Sequence, residues 1–87
     1  MSYIEENLGD INISKEIKND LENNVELVKL NLEFLKNLGI INYQNIFKTY
    51  YPMFLMDNSN FQEIFNKYDI NDLIDKLDRN VAIIEHL

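Results

Sequence analysis

Eighty-seven residues, 46% of them hydrophobic and 11% aromatic, make one domain with a single modest core. Fifteen acidic side chains against eight Lys and Arg leave a net charge of −7, which opposes phosphate binding and disfavours nucleic acid as a partner. The lack of cysteine excludes disulfides, zinc–thiolate sites and thiol catalysis, and two isolated glycines exclude a phosphate-cradling loop. No apolar run is long enough for a membrane span, and the acidic start MSYIEENLGD lacks the basic region of a signal peptide. The expectation is a soluble, cytoplasmic protein with no membrane contact.

In chain order, Ser2-Tyr3-Ile4-Glu5 fits a capping box, so a short helix is expected from Tyr3 to about Leu8, closed by Gly9. Asp10 to Ile13 reads as a connector, and Ser14 as the next N-cap. From Lys15 to Leu38 the periodicity is helical. Ile17, Leu21, Val25, Val28, Leu32 and Leu35 share one face, and Leu27, Leu30, Phe34 and Leu38 form a second. Glu22, Glu26, Lys29, Glu33 and Lys36 make a solvated strip on the remaining side. A helix apolar on two sides is packed on two sides, so this segment is expected at the centre, or its second face serves a dimer. The Asn23-Asn24 pair leaves one helix or two as alternatives, because Asn competes for backbone hydrogen bonds.

Gly39 is expected as a left-handed cap, with Asn42 capping a helix that carries Ile46, Phe47, Tyr50 and Tyr51 inward. Pro52, the only proline, ends or kinks that helix. Asp57-Asn58-Ser59-Asn60 reads as a turn, with Ser59 and Gln62 as a capping box for a helix bearing Phe61, Ile64, Phe65 and Tyr68. Asp69 or Asn71 caps a last helix that runs from Ile70 through Ile84. Asp72 with Lys76, and Asp75 with Arg79, are its solvent-side pairs. No segment alternates, so no sheet is expected.

Leu35, Leu38, Gly39, Ile40, Ile46, Pro52 and Leu55 together resemble the helical repeat of the mitochondrial transcription termination factor family. A second copy runs from Phe65 through Ile70, with Asp69 in the place of Gly and Ala82 in the place of Pro. The resemblance covers about half the chain. It implies stacked helical units and, as an alternative function, a degenerate nucleic-acid-binding repeat.

No constellation suggests catalysis. His86 is the only histidine, Ser2, Ser14 and Ser59 all read as caps, and no Glu-x-x-His pair occurs. Calcium-loop spacing fails at Asp69, where Leu73 and Ile74 fill a ligand position and the turn glycine, and at Asp57, where Phe61 does the same. Asp72, Asp75 and Asp78 drift around a helix rather than converge. No catalytic, metal or cofactor site is therefore expected.

The segment around Pro52 packs large apolar residues beside a turn. Tyr50, Tyr51, Met53, Phe54 and Met56 are the candidate partner-binding residues, and a plug for the core is the competing reading. The sequence thus predicts a single all-α domain over residues 1–87, a compact bundle of four or five short helices. Its expected role is a non-enzymatic protein-interaction module, a small regulator or accessory factor whose partner is another protein. A homodimer stays open, and an acidic mimic of nucleic acid that blocks a basic groove is an alternative.

Overall fold

Ser2 opens the chain's first helix as its spacing predicts. Its Oγ accepts the Glu5 N–H at 3.1 Å, and its hydroxyl donates to Glu22 Oε1 at 2.7 Å. The computed structural model describes residues 2–9 and 12–87, so the connector expected over Asp10–Ile13 lies partly outside the described residues. Helix α1 (Tyr3–Leu8) ends at Gly9, whose φ of 64° favours a residue without a Cβ. Ser14 caps α2 (Lys15–Asn23) by accepting the Ile17 N–H at 3.2 Å.

Of the two alternatives for residues 15–38, the chain takes the divided one. Asn24 separates α2 from α3 (Val25–Leu38), and its side chain donates to the Asp20 carbonyl at 2.8 Å in place of continuing the helix. Gly39 closes α3 at φ 95°, and the amides of Gly39 and Ile40 return to Lys36 and Leu35. Helix α4 (Tyr43–Tyr50) then gives way at Pro52 to a short 3-10 helix, η1 (Tyr51–Leu55). Helices α5 (Asn58–Asn66) and α6 (Ile70–Arg79) follow, and a second 3-10 helix, η2 (Val81–His86), ends the chain. All secondary structure among the described residues is helical, and α2–α6 are the five longer helices of the expected bundle, with α1, η1 and η2 as shorter pieces.

Three expected details differ. Residues 57–60 are not a free turn: Asp57 is the N-cap of α5, and Ser59 is an exposed first-turn residue. Asn42 precedes α4 without capping it by its side chain, which donates to the Leu77 and Asp78 carbonyls at 3.3 and 3.4 Å. The last helix stops at Arg79, because Asn80 is extended (φ −158°, ψ 109°) and its Oδ1 opens η2 by accepting the Ala82 N–H at 3.0 Å.

Helix α3 is the centre of the packing, touching α1, α2, α4, η1 and α5. Val28, Leu32 and Leu35 on α3 are enclosed, together with Leu21, Ile46 and Leu77 from its neighbours. All five phenylalanines join one chain of ring contacts, Phe47–Phe54–Phe61–Phe65, with Phe34 against both Phe61 and Phe65 at 6.1 Å. The second face of α3 is only partly covered. Phe34 and Leu38 pack on the core, while Leu30 is 58% exposed.

The succession helix, helix, 3-10 helix occurs twice, as α3–α4–η1 and α5–α6–η2. The two 3-10 helices begin thirty residues apart, at Tyr51 and Val81. At the same interval, Leu35 corresponds to Phe65, Phe47 to Leu77 and Phe54 to Ile84, and all six are buried. Two similar units therefore lie in series, with α1 and α2 packed on the first.

Candidate docking surface

The Tyr50–Met56 segment turns mostly inward. Phe54 is fully buried, with its ring 5.0 Å from Phe47 and 5.1 Å from Phe61, so it belongs to the core and leaves the set of surface candidates. The physical reason is the tight 3-10 winding at Pro52, which points Phe54 back under α3 and α4. Tyr50, Tyr51, Met53 and Met56 are half-buried against the same core, leaving Pro52 exposed between them. Tyr50 Oη donates to Glu85 Oε2 at 2.8 Å, tying α4 to η2. That bond, with some burial, raises the Tyr50 hydroxyl above its ordinary pKa.

A groove lies elsewhere, beside α6 in the second unit. It has a volume of about 290 Å³ and runs between α6, η2 and the turn that joins α5 to α6. Its apolar walls are Tyr68, Leu73, Ile83 and Leu87, and Asp72, Lys76 and His86 stand at its lips. Leu73 is almost fully enclosed and forms the floor, while Tyr68 is 41% exposed and forms one wall. Asp69 holds the α6 side in place, its Oδ1 accepting the Asp72 N–H at 3.1 Å. The Lys76 ammonium lies 2.9 Å from Asp72 and the Arg79 guanidinium 3.1 Å from Asp75, the pairs expected from spacing.

Thirty residues before Asp72 and Lys76 stand Asn42, which donates to the Leu77 and Asp78 carbonyls of α6, and Ile46, which is fully buried where Lys76 is exposed. Ile74, on the opposite side of α6, faces the first unit instead: a Cβ placed on Gly39 would lie 3.6 Å from Ile74 Cδ1.

The sequence did not single out this surface. Tyr68 and Ile83 lie fifteen residues apart, and no local pattern joins them. Among the described residues, no three Asp, Glu or His side chains converge as a metal site would require. Among the described residues, no helix is long and apolar enough to cross a membrane. No protein-family model, curated protein or solved structure matches this chain.

Proposed function

We propose that this chain is a non-enzymatic protein-interaction module that docks a helical partner in the groove of its second unit. The observation that carries the reading is the apolar groove of Tyr68, Leu73, Ile83 and Leu87 beside α6. Open apolar grooves with polar lips suit an amphipathic helix, whose anchors fill the trough while its flanks meet the charges. The repetition of helix, helix and 3-10 helix also supports reading the chain as two stacked repeats. The acidic exterior favours protein over nucleic acid as the bound partner.

Half-buried Tyr51 and Met53, beside exposed Pro52, make the second candidate surface. The two are separated by comparing baits in a pull-down from native lysate. Ile83→Glu should abolish capture while preserving the helical circular dichroism, and the Tyr51→Ala, Met53→Ala double variant should leave capture intact. Loss of capture in the double variant alone would move the docking surface to the Pro52 turn. Equal capture by every bait would refute both surfaces.

A further inference from the structure

The two 3-10 helices occupy corresponding places in their units but are held differently. Phe54 of η1 is fully buried, and the Asn31 amide takes the Phe54 and Met56 carbonyls, both at 2.8 Å. Thirty residues after Asn31 stands Phe61, whose side chain has no amide to give. Among the described residues no side chain donates to the corresponding carbonyls, those of Ile84 and His86. The Ile84 carbonyl accepts the Leu87 N–H from its own turn, at 3.3 Å. Helix η2 therefore lacks the clamp that fixes η1.

Two attachments hold η2 instead. Ile84 is its one buried residue, and Tyr50 on α4 donates to Glu85 in a bond exposed to solvent. Asn80 separates η2 from α6. It is extended, and its N–H closes α6 on the Lys76 carbonyl at 3.0 Å. Its Oδ1 and its carbonyl accept the Ala82 and Ile83 N–H groups, which belong to η2. Rotation about the Asn80 N–Cα bond thus carries its side chain, its carbonyl and all of η2 together, and leaves the N–H in α6. The piece that would move supplies Ile83, His86 and Leu87 to the groove, whose remaining walls are Tyr68, Leu73 and the Asp72–Lys76 pair.

We propose that η2 is a hinged strap along the groove: it turns about Asn80, is held shut by Ile84 and the Tyr50–Glu85 latch, and sets the width of the trough by its position. A six-residue 3-10 helix suits that role. Its hydrogen bonds are poorly aligned and its burial is sparse, which places it at the low end of local stability. The strap is a property of the fold and holds whatever fills the groove, so it stands apart from the docking reading.

Native-state hydrogen exchange, read by NMR on the full chain, tests it. The Ile83 and Leu87 amides bond inside the strap at 3.2 and 3.3 Å. Met56, bonded to Met53 of η1 at 3.2 Å, and Leu73 of α6, bonded to Asp69 at 2.9 Å, are the references. The strap amides should be protected, but about tenfold or more below the references. Tyr50→Phe keeps the ring and removes the latch, so it should speed exchange at Ile83 and Leu87 by about three- to tenfold and leave Met56 and Leu73 unchanged. Glu85→Ala should do the same, and the double variant should add nothing further, as expected of two partners in one bond. Strap amides that exchange in step with Met56 and Leu73 would overturn the hinge, and strap amides without any protection would overturn the closed position. A Tyr50→Phe effect that is absent, or spread equally over strap and references, would overturn the latch.

Discussion

Asn58 donates from Nδ2 to the Oδ1 of Asn31 at 2.9 Å, bridging the start of α5 to the middle of the central helix. Asn31 is fully buried, and its own amide donates to the carbonyls of Phe54 and Met56, both at 2.8 Å. Gln62 completes the set by donating to Asn58 Oδ1 at 2.7 Å. The carbonyls freed at the end of η1 are therefore satisfied by a side chain from α3 rather than by water. This clamp fixes where the first unit ends and the second begins.

Replacing Asn31 by Leu should therefore destabilise more than its added apolar volume can offset. Two inward carbonyls and the Asn58 amide lose their partner, at a cost of about 2–4 kcal/mol. Chemical denaturation of the two proteins checks it, and a neutral or stabilising substitution would show that the clamp is dispensable.

Phe54→Ala separates the two readings of the Pro52 segment. As a ring enclosed between Phe47 and Phe61, Phe54 should cost about 3–5 kcal/mol on truncation. A surface role would give a change below about 0.5 kcal/mol. The denaturation midpoint decides between them.

Gly39→Ala should cost about 1–2 kcal/mol, the penalty for holding an L-residue in the left-handed region. Steric overlap adds nothing, because the new methyl would meet Ile74 at an ordinary 3.6 Å. A loss well above that range would mean that the turn itself rearranges, visible as a change in the NMR shifts of Ile40 and Ile74.

Alkaline pH should destabilise the fold through two of its five tyrosines. Burial, then the neighbouring Glu33 carboxylate, raises the Tyr3 hydroxyl above its ordinary pKa, and the bond to Glu85 raises Tyr50. A group whose folded pKa is raised contributes stability below its unfolded pKa and loses it as pH climbs toward the folded value. Stability should thus fall above about pH 10, the ordinary tyrosine value. Tyrosinate absorbance should show Tyr3 and Tyr50 ionising late, and Tyr50→Phe should remove one of the late groups.

At the acid end, Glu5 behaves in the opposite sense. Its bond to the Lys18 ammonium at 3.0 Å lowers its pKa, so the contribution is present at neutral pH and fades as pH falls through the folded value. Both side chains are about 40% exposed and screened by solvent, so Glu5→Gln should leave stability nearly unchanged. A larger loss in thermal melts would indicate that α1 depends on this pair for docking.

Reading the chain by periodicity and caps located helices wherever the signal is local. Ser2, Ser14, Gly39 and Asp69 act within four residues of themselves, and each performs its expected role. The same logic placed Asn42 correctly before α4 but not its side-chain bond, and it misplaced Ser59. Asn42 finds better acceptors in the distant carbonyls of Leu77 and Asp78, and Asn58 is drawn to Asn31, which starts α5 ahead of Ser59. The inward fate of Phe54 and the open groove by Tyr68 were illegible for a related reason. Both depend on which elements meet, and hydrophobicity alone does not say which partner covers a given side chain.

The amino-acid order alone determined an acidic, helical chain with a central two-faced rod and a stop at Pro52, because capping and amphipathic spacing are properties of neighbouring residues. The tertiary structure chose between readings the sequence left open, turning Phe54 into the core at Pro52 and dividing the helix at Asn24. The packing that made those choices rests on contacts between residues twenty or more positions apart, such as Asn31 with Asn58 and Tyr50 with Glu85, whose pairing is selected only when the whole chain packs.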